Sequence, residues 1–207
     1  MSDLAVVVPC FNEEEVFPET ARQLLELLDR LQLAGKAGPG SRLYFVDDGS
    51  RDQTWLLIEA AAIADPRVHG IKLARNSGHQ NALLAGLFTA HADVIVSIDA
   101  DLQDDPNVME AMLDHHAKGC DIVYGVRQSR ATDSAFKRST ARGYYRLLEL
   151  LGVEIVYDHA DYRLLSKRAI CELRQYTEVN MFLRAVIPLL GFRSAVVYYE
   201  RAARVCR

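Results

Sequence analysis

The sequence predicts an α/β protein built on a doubly wound, mostly parallel sheet, as three observations indicate. Short β-branched apolar runs alternate with helical patterns at the spacing of strand-helix units. The composition is that of one globular domain, with 207 residues, of which 50% are hydrophobic and 25% charged. Polar groups follow three of the apolar runs, at Asn12, Asp47 and Asp99. We therefore expect a single domain over residues 1–207 with a ligand site at one edge of its sheet.

The first half of the sequence predicts three strands, each followed by a helix. Continuous apolar runs indicate buried strands, and apolar residues recurring every three or four positions indicate helices. The predicted strands are 4–8, 43–46 and 68–73, and the predicted helices are 16–31, 55–62 and 80–91. We expect Asn12 to cap the first helix, and Ser50 or Asp52 the second, because their side chains accept hydrogen bonds from free amide groups. Small residues such as Gly86 should let the third helix lie close to the sheet.

The second half predicts two more strands of this kind and a less regular C-terminal region. The predicted strands are 94–98 and 122–124, with a helix that starts at Pro106 between them. The remaining predicted elements are a basic amphipathic helix at 129–151, an extended segment at 158–164, helices at 167–173 and 181–190, and a strand at 195–199.

The stretch after the fourth strand is rich in carboxylates. Asp99 and Asp101 would point the same way if the strand continued, and like charges that close repel unless a cation lies between them. Together with the amide oxygen of Gln103 they form an oxygen-only ligand set, which suits Mg²⁺ or Mn²⁺ and a substrate diphosphate. The alternative is a solvated acidic loop that caps the helix after Pro106.

Three predicted strand ends carry polar groups that should meet in one crevice, since parallel strands end at the same edge of a sheet. These groups are Asn12-Glu13, Asp47-Asp48 and Asp99-Ala100-Asp101. Asp47 is expected to accept hydrogen bonds from a base or ribose, and Arg75 and Asn76 could contact the base from the next loop. Taken one at a time, each group is equally typical of a turn.

Glycine-rich nucleotide signatures are absent from the sequence. No Gly-x-Gly-x-x-Gly follows a predicted strand, and no Gly-Lys-Ser/Thr phosphate loop occurs. A diphosphate would therefore be neutralised by the metal and by arginines, for which Arg127, Arg130 and Arg138 are the candidates.

Charge and cysteine usage exclude several classes of protein. A net charge of −4 gives no general attraction to nucleic acid. The four cysteines are scattered without a Cys-x-x-Cys pair, which argues against a zinc site and favours a reducing compartment. The histidines lack a ligand-like arrangement, so no role is assigned to His79, His91, His115, His116 and His159.

Membrane contact is expected to be peripheral. The N-terminus has no leader pattern, and no window approaches the roughly 18 apolar residues of a membrane span. The basic helix at 129–151 is either a solvated face over an apolar one or a surface for membrane lipids and other anions.

Six short motifs, in order along the chain, carry a resemblance to a known family. They are 7–14 (VVPCFNEE), 46–52 (VDDGSRD), 73–79 (LARNSGH), 99–104 (DADLQD), 124–127 (YGVR) and 161–164 (DYRL). In these motifs the sequence resembles the family 2 glycosyltransferases. Within that family it is similar to the polyprenyl-phosphate group, the bactoprenol glucosyltransferases and dolichol-phosphate mannose synthases.

The resemblance implies a GT-A fold, which is Rossmann-like, and roles for individual residues. It implies that the nucleoside is held by Pro9, Phe11, Glu13, Asp47 and Asp99. It implies a metal at Asp101 and Gln103, a diphosphate contact from Arg127 and an acceptor-side role for Asp161 and Arg163. The C-terminal motif at 199–204 adds Arg201 and Arg204 as candidate phosphate contacts.

Two departures from the family pattern concern the C-terminal half. Tyr162 stands where the motif usually has phenylalanine. The motif at 199–204 is not followed by the Gly-Ser-Lys-Tyr-like loop of relatives, and the membrane helices that many bactoprenol relatives carry next are missing too. A truncated chain and a natural short form both fit these departures.

The expected function is metal-dependent, inverting transfer of a hexose to a polyprenyl phosphate such as undecaprenyl phosphate. UDP-glucose is the expected donor, GDP-mannose the second choice, and Mg²⁺ or Mn²⁺ the cofactor. The enzyme would act at the cytoplasmic face of the cell membrane, and a homo-oligomer is possible. The alternatives are a soluble or polysaccharide acceptor and a catalytically silent nucleotide-sugar-binding module. Asp161 is expected to orient Arg163 more than to remove a proton, because a phosphate acceptor is already ionised.

Overall fold

The computed structural model describes residues 1–128, 159–176 and 181–200. Within these ranges the strands are β1 (Leu4–Cys10), β2 (Arg42–Asp47), β3 (Val68–Lys72), β4 (Val94–Ser97), β5 (Ile122–Arg127), β6 (His159–Ser166) and β7 (Ser194–Tyr199). The helices are α1 (Phe17–Leu33), α2 (Thr54–Ala64), α3 (His79–Thr89), α4 (Val108–Ala117), α5 (Lys167–Leu173) and α6 (Leu183–Leu189). The predicted basic helix at 129–151 lies outside the described residues, as do Arg130, Arg138, Arg201 and Arg204.

One sheet of seven strands, in the order β3-β2-β1-β4-β6-β5-β7, runs through the described residues. The pairs β1-β2, β1-β4, β2-β3 and β5-β7 are parallel. The predicted mostly parallel α/β sheet is therefore confirmed. No helix in the described part of the chain is both long and apolar enough to cross a membrane.

The two faces of the sheet are covered because side chains alternate along each strand. On β1, Val6 and Val8 belong to a core that includes Leu28 of α1. Val7 points the other way, into a second core that includes Leu83 of α3. Since β1 is buried on both faces, its sequence is a continuous apolar run rather than an alternating one.

Strand β6 is where the fold differs most from the sequence prediction. The segment predicted as a short extended stretch at 158–164 is an eight-residue strand inserted between β4 and β5 and antiparallel to both. An antiparallel strand starts at the edge where its parallel neighbours end. The first residues of β6, including Asp161, therefore lie at the carboxyl edge of the sheet.

The helix caps also differ from prediction. Asn12 does not cap α1, which starts at Phe17 without a side-chain cap. Instead Asn12 has a positive φ of 53° and its Oδ1 accepts a hydrogen bond from the Arg51 amide. Asp52 does accept from the Thr54 amide at the start of α2, while Ser50 accepts from the Asn12 amide. Ser50 and Asn12 thus join the loops after β1 and β2 instead of capping helices, and Asp52 bonds to the first residue of α2.

Helix α3 packs directly on the sheet through Gly86. A Cβ at this position would lie 2.3 Å from Val7 Cγ1 and 2.9 Å from Val46 Cγ2. The prediction that small residues let this helix lie close to the sheet is borne out at Gly86. This contact fixes the distance between the sheet and the N-terminus of α3, where His79 lies.

We expect Gly86→Ala to destabilise the protein by about 1–3 kcal/mol, because the added methyl group has no space. In an exposed helix the same change would stabilise by about 1 kcal/mol. Thr89→Ala, at an exposed position of the same helix, is the matched control. Urea denaturation measures both variants. A Gly86→Ala chain as stable as the parent would show that α3 does not approach the sheet this closely.

Candidate active site

A cavity of about 310 Å³ opens at the carboxyl edge of the sheet. Cys10 at the end of β1 pairs with Asp47 at the end of β2, and β4 ends beside them at Ser97. The predicted site residues that line the cavity are Pro9, Phe11, Glu13, Asp48, Asn76, Asp99 and Asp101. The convergence expected for parallel strand ends is therefore present.

The loop after β1 is joined to the loop after β2 by side-chain-to-backbone hydrogen bonds. The Glu13 amide donates to Thr54 Oγ1 at 2.8 Å, and the Gln53 amide donates to Glu14 Oε2 at 2.8 Å. Gly49, with φ of 70°, lies under the next loop, where a Cβ would be 2.6 Å from the Arg75 carbonyl carbon. These contacts bring the first three strand-end loops together as one wall of the cavity.

Asp47 and Asp48, at the end of β2, have different surroundings. Asp48 lines the cavity, and its two oxygens accept from the Ser77 amide at 2.7 Å and the Gly78 amide at 2.9 Å. Asp47 is fully buried outside the cavity lining, with one oxygen bound to the Ser50 amide. The other oxygen of Asp47, Oδ2, is buried without a hydrogen-bond donor, so the base contact expected of Asp47 stays a prediction. Arg75, Asn12 and Gln103 are also outside the lining.

The acidic turn after β4 contains two buried oxygen atoms that lack a hydrogen-bond donor. They are Asp99 Oδ1 and Gln103 Oε1. Such acceptors are costly to bury unless something binds them. Asp101 shapes the turn, since its Oδ1 accepts from the Gln103 amide at 3.1 Å. The unsatisfied oxygens fit a hard divalent cation, which prefers oxygen ligands.

Few side chains of the described residues could bind a cation at this turn. No group of three or more His, Cys, Asp or Glu side chains in the described residues has the arrangement of a metal site. The residues that fit a cation here are two carboxylates and one amide. Burial raises the pKa of Asp99 above its usual range, while the nearby His79 lowers it.

Side chains of strands β5, β6 and β7 form hydrogen bonds to the acidic turn. Asp104 is buried, and its carboxylate accepts two hydrogen bonds from Arg127, at 2.8 and 3.0 Å, and one from the Tyr199 hydroxyl at 2.6 Å. The Tyr162 hydroxyl donates to the Asp105 carbonyl at 3.0 Å. Arg127, expected at the diphosphate, is thus engaged with Asp104. Tyr162, noted as a departure from the family pattern, uses its extra hydroxyl on this turn.

Asp161, at the start of β6, has donors on several sides. Its carboxylate forms an ion pair with Arg163 and accepts from Gln80 Nε2 at 3.2 Å. Arg184 of α6 approaches both of its oxygens at 3.4 Å, and His79 Nε2 lies 3.4 Å from Oδ2. The predicted neighbours Asp161 and Arg163 are therefore in contact, and the basic side chains of Arg184 and His79 join them.

The charges around Asp161 move its pKa well below the usual range of a carboxyl group. Burial alone would raise this pKa, but the hydrogen bond from His79 and the positive charges of Arg163 and Arg184 outweigh burial. The pKa of His79 is raised, chiefly by its hydrogen bond with Asp161. Asp161 is therefore a weak base near neutral pH.

His79 connects the two sides of the site. Its Nε2 lies 3.6 Å from Asp99 Oδ1 and 3.4 Å from Asp161 Oδ2, and its ring lines the cavity. Sequence analysis assigned no role to His79 and did not single out Gln80 or Arg184. The antiparallel direction of β6 brings their partner Asp161 to this edge, and spacing along the sequence does not show that direction. The one available signal was the position of His79 directly after a strand-end loop.

The comparison with known families identifies the family of this chain. The family model of glycosyl transferase family 2 matches residues 5–174, so the chain belongs to that family. A Bacillus subtilis glycosyltransferase, YkoT, is 53% identical over 203 residues, which are 97% of this chain and 60% of that protein. A bactoprenol glucosyl transferase of Shigella phage SfV is 34% identical over 206 residues, 98% of this chain and 64% of that protein. The chain thus spans about three fifths of the length of these relatives, and its class, glycosyltransferase, agrees with prediction.

Solved structures confirm the GT-A fold. A mannosyltransferase from Pyrobaculum calidifontis in complex with GDP-Man and Mn²⁺ matches with a TM-score of 0.65 at 17% identity, over 99% of this chain and 58% of that one. Glucosyl-3-phosphoglycerate synthase from Mycobacterium tuberculosis, in complex with Mn²⁺, UDP and phosphoglyceric acid, also has a TM-score of 0.65. It is 20% identical and matched over 100% of this chain and 72% of that chain.

The buried pair of Asp161 and Arg163 gives a stability prediction. Asp161→Asn should cost about 3–5 kcal/mol at pH 7, because Arg163 is 1% exposed and its Nε and Nη1 already lack acceptors. Arg163→Met should cost less, since Asp161 keeps Gln80, His79 and Arg184. Urea denaturation measures both variants.

The pH dependence follows from the lowered pKa of Asp161. Its contribution is complete above the unfolded pKa of about 4 and is lost as the pH falls toward the folded value. The difference between the parent and Asp161→Asn should therefore be largest near pH 7 and shrink below about pH 4. A difference that grows on acidification would contradict this assignment.

Proposed function

We propose that this chain transfers a hexose, with inversion, from a nucleotide diphosphate sugar to a polyprenyl phosphate such as undecaprenyl phosphate. UDP-glucose is the donor we favour, and GDP-mannose is the second choice. The observation that carries the proposal is the contact of His79 with both Asp99 and Asp161, which joins an acidic cavity to a cationic cluster. A relative named for bactoprenol glucosyl transfer supports a lipid acceptor.

The donor side is the cavity at the ends of β1, β2 and β4. We propose that the nucleoside lies among Pro9, Phe11, Glu13, Asp48 and Asn76, which line it. Asp99, Asp101 and Gln103 would hold Mg²⁺ or Mn²⁺. Such an ion offsets the negative charge that develops on the leaving diphosphate. Arg127 stays a candidate diphosphate contact through the part of its guanidinium that Asp104 does not use.

The acceptor chemistry suits a residue that orients rather than one that takes a proton. An oxygen of the acceptor phosphate forms the new bond to the anomeric carbon, while the bond to the diphosphate breaks and its electron pair leaves with the nucleotide. A phosphate monoester has a second pKa of about 6 and is largely dianionic near neutral pH. It needs no general base, which agrees with the lowered pKa of Asp161. Asp161 would hold Arg163 and His79 in place.

Membrane contact is proposed on α6, next to the acceptor side. Phe182 directly precedes α6 and Leu189 ends it, and their side chains are 59% and 57% exposed. Between them Arg184 is the charged residue, and it reaches Asp161. Exposed apolar side chains beside a cation are typical of a surface that meets lipid headgroups. We therefore propose a peripheral position at the cytoplasmic face of the cell membrane.

The metal proposal is tested by Asp101→Asn. We expect it to lower Mn²⁺-dependent affinity for UDP at least tenfold, because a carboxylate ligand becomes a neutral amide. Asp105→Asn is the matched control, since Asp105 belongs to the same turn but bonds to Asn107. Isothermal titration calorimetry with UDP, with and without Mn²⁺, gives the affinities. An Asp101→Asn chain that binds UDP and Mn²⁺ like the parent would remove the metal from this turn.

The membrane proposal is tested with vesicles. We expect Leu189→Ser combined with Phe182→Ser to reduce sedimentation with anionic liposomes at least threefold, because this surface loses exposed apolar area. Leu33→Ser and Leu56→Ser, at exposed apolar positions of α1 and α2, form the control. If the α6 and control variants sediment equally, α6 is not the membrane contact.

A further inference from the structure

Arg184 of α6 makes a weak pair with Asp161. Its Nε and Nη2 lie 3.4 Å from the two carboxylate oxygens, while the guanidinium of Arg163 is closer to the same carboxylate. A bidentate arginine-carboxylate pair normally has distances of about 2.7–2.9 Å. The Arg184 contact is therefore long and readily exchanged for a better acceptor.

The two arginines at Asp161 carry more positive charge than this one carboxylate can neutralise. One carboxylate faces two guanidinium groups, and the side chain of Arg163 is only 1% exposed, so its charge is committed to this carboxylate. The pKa of Arg163 is lowered by burial, while the nearby Asp161 raises it. Arg163 thus depends on Asp161, whereas the positive charge of Arg184 is available to another anion.

Exposure separates the two arginines in the same way, because the side chain of Arg184 is 46% exposed and that of Arg163 is 1% exposed. The side chain of Asp161 is 9% exposed. Arg184 is also close enough to His79 for its charge to lower the pKa of that ring. An anion that approaches the His79 end of the cavity from solvent would meet Arg184 before Asp161.

We propose that Arg184 binds the phosphate of the acceptor, exchanging its long contact with Asp161 for a charge-assisted hydrogen bond to a phosphate oxygen. Asp161 keeps Arg163, Gln80 and His79 when Arg184 turns away, so the exchange leaves no buried charge unpaired. This inference rests on the proposed function and adds the residue that distinguishes a phosphate acceptor from a hydroxyl acceptor. A hydroxyl group carries no charge to draw Arg184 away from Asp161.

The test uses farnesyl phosphate as the acceptor probe and farnesol as its uncharged analogue. Calorimetry with UDP and Mn²⁺ present measures both ligands with the parent, Arg184→Gln, Arg184→Lys and Arg168→Gln chains. Arg168 is a matched control, because its side chain is 68% exposed and pairs with Asp121 near the start of β5, at the opposite edge of the sheet. The affinity of each chain for UDP and Mn²⁺ reports its folding. Inorganic phosphate, added as a competitor, separates headgroup binding from lipid-tail binding.

We expect Arg184→Gln to bind farnesyl phosphate at least tenfold more weakly than the parent, with Arg184→Lys in between and Arg168→Gln unchanged. Inorganic phosphate should weaken the binding of farnesyl phosphate to the parent chain. This competition should be absent in Arg184→Gln. Equal affinity of the parent and Arg184→Gln for farnesyl phosphate would overturn the inference, as would a parent that binds farnesol equally well.

Failure of the inference and failure of the proposed function give different results. A parent chain that binds farnesyl phosphate through Arg184 but transfers no glucose to it upholds the inference and contradicts the function. Glucose transfer with the same KM for farnesyl phosphate in the parent and Arg184→Gln upholds the function and overturns the inference.

Discussion

The buried carboxylate of Asp104 holds the active edge of this protein together. It is bound by Arg127 from β5 and by the Tyr199 hydroxyl from β7, and the Tyr162 hydroxyl of β6 fixes the next carbonyl group. These bonds join the second half of the sheet to the turn in which Asp99 and Gln103 present unsatisfied oxygens. A buried carboxylate requires charged and hydrogen-bonding partners. The three strands and the turn must therefore keep the relative positions that supply these partners.

The resulting site has an acidic side and a cationic side. Glu13, Asp48, Asp99 and Asp101 line the cavity, whereas Arg163 and Arg184 surround Asp161. In the proposed function, a donor diphosphate would bring negative charge to the acidic side and would need a cation there, while a phosphate acceptor would be attracted to the cationic side. His79, in contact with Asp99 and Asp161, lies at the boundary between the two. The two substrates would then approach each other at that boundary.

Local pattern predicted the parallel half of the fold well, because an apolar run followed by a polar strand end is a strong signal. The same signal located the cavity, since Asp48 and Asp99 follow parallel strands, which end at the same edge of the sheet. Pattern could not give the direction of β6 and therefore missed Gln80, His79 and Arg184 around Asp161. Pattern also could not distinguish the surroundings of the two adjacent aspartates after β2. In the folded chain Asp48 lines the cavity, and Asp47 keeps one buried oxygen without a donor.

The most direct test of this account is glucose transfer from UDP-glucose, measured with Mn²⁺ or EDTA, to farnesyl phosphate, farnesol and a soluble disaccharide. Proton NMR of the product gives the configuration at the anomeric carbon. The account predicts a β-linked product from the α-linked donor, made on farnesyl phosphate only and abolished by EDTA. Transfer to a hydroxyl acceptor at an equal or higher rate, or transfer that survives EDTA, would contradict it.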